Sequence, residues 1–407
     1  MSRNVLLMFA YHFPPDPVIG AARPARLAKY LERLGYTCHV ITAAGQDGAA
    51  AANVDSVPDP FIGATSHGPR WQFERAVRRI FLPGELGTQW AFDARKAARS
   101  FLRAHPADRV TVFSTFPPIG VHQAGWLLAR SETLPWIADF RDPMADSPAF
   151  HKVVTPFQRD VYRKLERVVF RSASGVIANT GTAADFYRSK YPEHAHKVHT
   201  LWNGFDPEFR VQPLPLESTP FKRLLHAGEL YNGRSVIPLL LSVARLLERG
   251  RLDPARIRLS LVGPADADTL PPPEFLSQAQ SQGWLELRPP VPPAEARRMT
   301  QTCHGLLLVQ PHSAIQVPGK LFDYIQIGRP ILAFLAPNSP IEMILQKSGV
   351  PHQCIFTGDS PESIDSALMK HFALPSDPVA PSSWFEDQFS APRQAETMAS
   401  IIEALPR

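Results

Sequence analysis

Cysteine is scarce in this chain, with three residues at Cys38, Cys303 and Cys354 among 407. They are far apart and no two have metal-ligand spacing, so the sequence predicts neither a disulfide scaffold nor a cysteine metal site. Free cysteines at this low frequency favour a reducing, cytoplasmic location. The fourteen histidines also lack the HExxH spacing of zinc enzymes. We therefore expect no bound metal and no resident cofactor.

Long apolar runs are also missing. No stretch approaches the ~20 uninterrupted apolar residues that span a bilayer, and the beginning, "MSRNVLLMFAYHFPP", is typical of a buried strand rather than a signal peptide. There is no Walker loop, no G-x-S-x-G and no G-x-G-x-x-G after the first strand. The "DAD" at 266–268 is short and fits a polar loop better than a metal site.

What the chain does contain is an alternation of apolar runs and helical patterns. The predicted strands include "NVLLMFAY" (4–11), "WIADF" (136–140), "IRLSLVG" (257–263) and "GLLLVQ" (305–310), and helical patterns separate them. Repeated β-loop-α-β units predict an α/β fold of two Rossmann-like, doubly wound domains. In such sheets, ligands bind beyond the carboxyl ends of the strands. We expect the two domains to face one another across a cleft.

A proline-rich stretch divides the alternation. Residues 206–220, "DPEFRVQPLPLESTP", lack periodicity and are predicted to be a linker. The sequence thus predicts a first domain at 1–205 and a second at 221–382. The last stretch, 383–407, is predicted to pack back onto the first domain as a helix.

Three cations lie at the predicted beginnings of helices. In "VPGKLFDYI", the Pro-Gly pair predicts a turn into a helix with Lys320 in its first turn. A helix N-terminus carries positive partial charge, so a cation there is unfavourable by about 0.3–1 kcal/mol unless an anion binds nearby. Arg23 and Arg234 have the same placement. We interpret these positions as anion sites, with a solvated surface arginine as the alternative for Arg23 and Arg234.

Lys320 and Arg234 belong to the same half and together suggest a clamp for a diphosphate. Gly228 follows a strand in that half, and Gly20 lies where the first loop enters its helix, so backbone N–H groups there can face a phosphate. Asp323, one turn beyond Lys320, can accept hydrogen bonds from a ribose diol. Its alternative is an i,i+3 partner for Lys320.

A second cluster follows the strand "WIADF". Asp139, Arg141 and Asp142 lie at its end and can bind hydroxyl groups, steer an acceptor or provide a base. The alternative is an internal salt bridge that fixes a loop.

Seven segments occur in an order and spacing that match a known family. Together they closely resemble the subfamily 4-like glycosyltransferases of bacterial polysaccharide synthesis, which have the GT-B fold. The segments are "YHFPP…GAARPARLAKYLERLGYTCHVIT", "STFPP", "WIADFRDP", "VIANT", "LWNGFD", "HAGELYNGR" and "VPGKLFDYIQIGRPIL".

The resemblance implies that the domain at 1–205 binds an acceptor and that the domain at 221–382 binds a nucleotide sugar. It also implies roles for the candidate residues. Donor binding falls on Gly20, Gly228, Arg234, Lys320 and Asp323. Acceptor binding falls on Arg23, His122, Arg141 and Asp142, where His122 stands in for a histidine that the family has and "STFPP" lacks. The catalytic set is Asp139, Arg234 and Lys320.

The sequence also departs from the family pattern at two positions. One member of the family's basic pair falls on Glu229, and the first acid of its E-x7-E motif falls on Ile315. The resemblance implies that Lys320 compensates for the lost basic residue, as the matching lysine does in relatives with the Pro-Gly-Lys version. How the ring of the sugar is held stays open.

The expected function is therefore retaining, metal-independent transfer of a sugar from a nucleotide sugar to a glycan or polyprenyl-linked acceptor in bacterial surface polysaccharide synthesis. A nucleotide-sugar epimerase and a non-catalytic GT-B partner subunit are the alternatives. The segment 70–82 interleaves Arg with Trp and Phe on a predicted helix, and with the net charge of +5 it suggests contact of a cytoplasmic protein with an anionic membrane surface. The alternative is a core face with a solvated basic edge. No recognition motif for nucleic acid is present.

Overall fold

The computed structural model describes ten segments of the chain: residues 3–16, 18–43, 53–59, 72–73, 76–77, 80–82, 86–146, 155–216, 218–231 and 233–406. These residues form two compact units. Unit 1 comprises Met1–Asp206 and Ala391–Arg407, and unit 2 comprises Pro207–Ser390. Six residues of the segment 70–82 lie outside the described residues, so the helix expected over the whole segment stays a prediction.

Unit 1 is built on one parallel sheet of seven strands in the order β3-β2-β1-β4-β5-β6-β7. Its middle strands are buried on both faces, which is why the sequence shows them as continuous apolar runs. The strands are β1 (Asn4–Phe9), β2 (Thr37–Thr42), β3 (Val54–Ser56), β4 (Arg109–Phe116), β5 (Trp136–Phe140), β6 (Gly175–Ala178) and β7 (Val198–Thr200).

In the described part of unit 1, the helices that accompany this sheet include α1 (Ala22–Arg33), α2 (Trp90–Ala104), α3 (Ile119–Glu132), α4 (Pro156–Ser172) and α5 (Gly181–Lys190). The start of α4 is a capping box. Thr155 Oγ1 accepts from the Gln158 N–H at 3.3 Å, and the Gln158 side chain accepts from the Thr155 N–H at 2.9 Å. α1 is followed by Gly35, whose φ of +88° is the left-handed conformation that ends helices.

Unit 2 repeats the plan with six parallel strands in the order β10-β9-β8-β11-β12-β13. The strands are β8 (Lys222–Ala227), β9 (Ile257–Val262), β10 (Leu285–Arg288), β11 (Gly305–Gln310), β12 (Ile331–Leu335) and β13 (His352–Phe356). The helices are α6 (Ile237–Glu248), α7 (Pro273–Ser281), α8 (Pro293–Thr302), α9 (Lys320–Ile327), α10 (Pro340–Ser348), α11 (Pro361–Ala373) and α12 (Ser383–Phe389).

The segment that the sequence marks as a linker packs on unit 2 from residue 207 onward. The Leu214 N–H donates to Gln301 O at 3.0 Å, and the Arg329 guanidinium donates to Leu214 O at 2.8 Å. Val211 is buried. Proline-rich backbone that cannot join a sheet is thus held by polar contacts with α8 and the turn after α9.

The C-terminal stretch differs from the single returning helix that the sequence predicts. It forms two helices, and only the second, α13 (Ala391–Glu403), belongs to unit 1. α12 stays in unit 2 because Phe385 and Phe389 pack against Phe322 of α9. α13 packs against α1 through an apolar face that includes Ala395 and Met398.

Two short strands were missed by the apolar pattern. β3 and β7 have three residues each and lie at the two edges of the unit 1 sheet. An edge strand pairs on one side only, so it does not need the continuous apolar run that marks a central strand. Among the helices of the described residues, none is long and apolar enough to cross a membrane.

Neighbouring leucines on α6 test where the core of unit 2 lies. Leu240 is 0% exposed and Leu241 is 44% exposed. We expect Leu240→Ala to lower the free energy of unfolding by about 2–5 kcal/mol, because it opens a cavity in the core. Leu241→Ala is the matched control and should change it by less than about 1 kcal/mol. Urea unfolding followed by circular dichroism measures both, and equal losses would contradict this packing.

Candidate functional site

Each sheet has a position at which the strand order reverses, and ligands of doubly wound folds bind there, beyond the strand carboxyl ends. In unit 1 the reversal lies between β1 and β4, and in unit 2 between β8 and β11. The predicted donor residues Gly228 and Lys320 meet at the carboxyl end of β8. The predicted acceptor residues Arg23 and Arg141 gather near the carboxyl ends of β4 and β5.

Lys320 lies against the backbone that follows β8. Its ammonium group donates to Ala227 O at 3.1 Å. A Cβ placed on Gly228 would lie 2.5 Å from Lys320 Nζ, and the φ of Gly228 is +144°. The residue after this strand must therefore be glycine, both for its backbone conformation and for the close approach of the lysine.

The charge of Lys320 is not balanced by any carboxylate among the described residues. Burial, assisted by the Arg234 guanidinium, lowers its pKa to about 8. Arg234 stacks over the ring of Tyr231, with 4.5 Å from its central carbon to the ring centroid. Within the described part of the chain, its guanidinium has neither a hydrogen bond nor an ion pair. Unit 2 thus holds two neighbouring cations for which the described residues provide no carboxylate.

His226 lies beneath this pair and was not found from the sequence. It is 1% exposed, and burial together with Lys320 and Arg234 lowers its pKa to about 3, so the imidazole is neutral at physiological pH. Its Nδ1 lies 3.1 Å from Leu307 O, which can only accept, so Nδ1 carries the proton. The other ring nitrogen, Nε2, has no partner among the described residues. His226 lies inside an apolar strand pattern, and nothing in that pattern indicated that it would lie next to Lys320 and Arg234.

The close backbone approach at this site also escaped the sequence analysis. Gly263 follows β9 with a φ of +130°, and a Cβ there would lie 2.6 Å from Gly228 O. The loops after β8 and β9 therefore pack backbone against backbone. The "VGP" after a strand was the available signal, since glycine inside a strand end marks such an approach.

The remaining donor-side residues have less defined positions. Asp323 lies one turn after Lys320 on α9 and is half-buried, Glu229 is exposed, and Ile315 is half-buried. The ribose role of Asp323 and the consequences of Glu229 and Ile315 stay predictions.

Asp139 and Arg23 form a buried ion pair in unit 1. Arg23 Nε and Nη2 donate to the two carboxylate oxygens of Asp139 at 3.0 and 2.8 Å, and Thr115 Oγ1 donates to Asp139 Oδ2 at 2.7 Å. The Arg23 guanidinium also donates to the backbone oxygens of residues 201 and 202 at 2.9 Å each. Asp139 is 0% exposed and Arg23 is 5% exposed.

This geometry matches the internal salt bridge that was the alternative for Asp139. It does not support a free anion site at Arg23, because the guanidinium is already occupied by protein acceptors. The catalytic role of Asp139 and the acceptor role of Arg23 stay predictions.

Arg141 connects three loops of unit 1. Its guanidinium donates to Phe116 O at 3.0 Å, and to Gly20 O and Pro117 O at 2.5 Å each. A Cβ on Gly20 would lie 2.8 Å from Arg141 Nη1, so a larger residue would displace this side chain. Glycine at position 20 is thus explained by contact with Arg141, and its approach to a phosphate stays a prediction. Asp142 is half-buried beside Arg141.

His122 lies in the core of unit 1 rather than on an accessible surface. It is 1% exposed, its Nδ1 lies 2.8 Å from Ser114 Oγ, and its ring packs 4.8 Å from Phe140. Burial lowers its pKa to about 3. The geometry gives no support for the predicted contact of His122 with an acceptor. Among the described residues, no three His, Cys, Asp or Glu side chains are grouped as metal ligands.

Comparison with known proteins adds a family match and a fold. The model of the family described as Glycosyltransferase Family 4 matches residues 23–209. No curated protein matches the chain significantly. The structure of Anabaena HepE in complex with UDP and glucose is 15% identical over 99% of this chain and 100% of that chain, with a TM-score of 0.59.

Two further solved structures have the same architecture. WaaG, a glycosyltransferase involved in lipopolysaccharide biosynthesis, is 17% identical over 97% of this chain and 95% of its own, with a TM-score of 0.54. A Listeria monocytogenes protein described as a UDP-N-acetylglucosamine 2-epimerase is 11% identical, with coverages of 99% and 96% and a TM-score of 0.55. These similarities confirm the predicted fold class: two Rossmann-like units with parallel sheets, as in GT-B glycosyltransferases.

The Arg23–Asp139 pair permits a test of its structural role. We expect Asp139→Asn to lower the free energy of unfolding by about 3–5 kcal/mol, because it leaves the Arg23 charge buried without a counter-charge. Asp160→Asn is the matched control: it breaks an exposed pair with Arg163, and about 0–1 kcal/mol is expected. Chemical denaturation measures both. Wild-type stability of Asp139→Asn, with loss of transfer, would instead favour the catalytic role.

Proposed function

We propose that this protein is a glycosyltransferase that moves a hexosyl or N-acetylhexosaminyl group from a nucleotide sugar to a glycan or polyprenyl-linked acceptor. The observation that carries the proposal is the pair of cations Lys320 and Arg234 at the carboxyl end of β8. Neither has a carboxylate partner among the described residues, and a nucleoside diphosphate supplies the missing negative charge.

The chemistry follows from where charge develops. When the sugar–phosphate bond breaks, the leaving nucleoside diphosphate gains negative charge on an oxygen. Positive groups that are already in place stabilise that charge in the transition state. Arg234 can bind two phosphate oxygens through its planar guanidinium, while Lys320 acts as a point charge. These two cations supply the stabilisation that transfer without a metal ion requires.

The acceptor side and the pathway are finer parts of the same proposal. We place the acceptor on unit 1, where Arg141 holds the loops that end at Gly20 and Pro117 in fixed positions. We also propose that the transfer retains the anomeric configuration. The protein would then act in bacterial surface polysaccharide synthesis, on the cytoplasmic side of the membrane. The match of residues 23–209 to Glycosyltransferase Family 4 supports the reaction class. HepE bound to UDP and glucose, and WaaG in lipopolysaccharide biosynthesis, are the neighbours that motivate the donor and the pathway.

Thermal stabilisation by nucleotides tests the proposal directly. We expect UDP, GDP or ADP, or one of their sugar conjugates, to stabilise the purified protein by about 2.7 kcal/mol at 100 times its dissociation constant. Lys320→Ala and Arg234→Ala should each weaken binding about 10- to 100-fold, because each removes hydrogen bonds to a charged group. Differential scanning fluorimetry and calorimetry measure the two effects.

Lys370→Ala and Arg251→Ala serve as controls, since both remove exposed cations elsewhere in unit 2. If no nucleotide stabilises the protein at millimolar concentration, the diphosphate site is wrong and the non-catalytic subunit becomes the better hypothesis. If a nucleotide sugar binds but is isomerised without an acceptor, the protein is an epimerase.

The lowered pKa of Lys320 predicts how affinity changes with pH. The bound diphosphate favours the protonated amine, so it raises the pKa of Lys320 above the value of about 8 in the free protein. Affinity for the nucleotide should therefore fall as the pH rises above about 8, by at most about tenfold per pH unit.

Titration calorimetry between pH 7.5 and 9.5 measures this dependence at unchanged phosphate ionisation. The Lys320→Ala variant should bind the nucleotide more weakly, and its affinity should not change with pH. The difference in affinity between the variant and the wild type should therefore become smaller as the pH rises. A wild-type profile as flat as that of the variant would show that Lys320 does not contact the diphosphate.

A further inference from the structure

Helix α4 of unit 1 has one face in the core and one in solvent. The buried side chains are Tyr162, Glu166, Val169 and Phe170. The exposed side chains include four cations, at Arg163, Lys164, Arg167 and Arg171. At about 100° per residue these four fall within roughly a third of the helix circumference. We call them the α4 basic face.

The charges of the α4 basic face are mostly unbalanced. Arg163 has an exposed ion pair with Asp160 at 3.1 Å. Lys164, Arg167 and Arg171 have no side-chain hydrogen bond or ion pair among the described residues. Glu166, the other acid of the helix, is 0% exposed and accepts from Tyr191 and Lys190 in the interior. It therefore does not neutralise the cations on the outside.

Exposed apolar side chains adjoin these cations. Phe157 is 56% exposed and Val168 is 40% exposed, and both continue the helical stripe that contains Lys164. The Phe81 ring is 41% exposed and lies 5.5 Å from the Phe157 ring. Ile80 is 55% exposed, and its backbone oxygen accepts from the Gln158 side chain at 2.7 Å. Exposed apolar side chains thus cluster at the beginning of α4, and the basic face follows along the same helix.

We propose that the α4 basic face, together with Phe81 and Phe157, docks on the surface of an anionic phospholipid bilayer. The two Phe rings enter the boundary between headgroups and acyl chains, where the apolar face of a membrane-surface helix is buried. The long side chains of the cations meet lipid phosphates, and their stems cover apolar surface.

The apolar part favours lipid over nucleic acid as the partner. Single strands stack their bases on aromatic rings, and Phe81 and Phe157 offer such rings. Ile80 and Val168 offer no face for stacking, and both are more favourable in contact with acyl chains than with water. The proposal deepens the proposed function, because an enzyme with a polyprenyl-linked acceptor must reach the membrane that holds it.

Vesicle binding of the full chain tests this surface without any nucleotide. We expect the protein to sediment with vesicles of phosphatidylcholine containing 30% phosphatidylglycerol, and weakly with pure phosphatidylcholine. Each cation near an anionic surface contributes roughly fivefold to partitioning. The partitioning of the triple variant Lys164→Gln, Arg167→Gln, Arg171→Gln to anionic vesicles should therefore be about a hundredfold weaker than that of the wild type. Phe81→Ser with Phe157→Ser should also weaken binding, but with the salt dependence of the wild type retained.

A matched triple variant separates this surface from net charge alone. Arg251→Gln, Arg297→Gln, Arg298→Gln removes three exposed cations of unit 2. It should bind vesicles like the wild type, and circular dichroism checks that both triple variants are folded. Equal losses in the two triples, or no binding of the wild type to anionic vesicles, would overturn the proposal, as would a single-stranded RNA that binds the same face while the vesicles do not.

The test also separates this proposal from the transferase assignment. The α4 triple variant should keep the wild-type stabilisation by a nucleotide, because it leaves Lys320 and Arg234 intact. If vesicles bind while no nucleotide does, the membrane surface stands and the glycosyltransferase proposal falls.

Discussion

The ion pair between Arg23 and Asp139 fixes the carboxyl edge of the unit 1 sheet. Asp139 is the next-to-last residue of β5 and has no exposed surface, and Thr115 on β4 and Arg23 on α1 both donate to it. Arg23 extends the network to the backbone at residues 201 and 202. A charge buried in this way is stable only with its counter-charge and full hydrogen bonding. The first helix, two central strands and the segment after β7 therefore depend on one pair of side chains.

A cation at a similar position in unit 2 has a different environment. Lys320, like Arg23, lies at the beginning of a helix, but within the described part of the chain its ammonium group donates only to the backbone oxygen of Ala227. Its pKa falls to about 8 because burial and Arg234 both disfavour the charge. Two cations with identical sequence signals thus have different physical states. Arg23 is neutralised by Asp139, whereas Lys320 has no carboxylate partner among the described residues.

The sequence predicted what depends on local pattern. Central strands such as "WIADF" and "GLLLVQ" are mostly apolar because both faces are buried, and their positions agree with β5 and β11. It could not distinguish Arg23 from Lys320, because the carboxylate that decides the matter lies 116 residues from Arg23. His122 and His226 gave no signal of burial, since the neighbours that desolvate them come from distant strands and helices.

The neutral ring of His226 limits the repulsion between the cations of unit 2 when no ligand is bound. Its ring is buried next to Lys320 and Arg234, and a third positive charge there would repel both. Because the Leu307 carbonyl fixes the proton on Nδ1 and burial keeps the ring neutral, the site holds two charges rather than three. Glycine at 228 and 263 then lets the lysine and the neighbouring loop approach the strand end. The repulsion that remains between two cations disfavours the free site, so an anion that binds there gains from relieving it as well as from its own contacts.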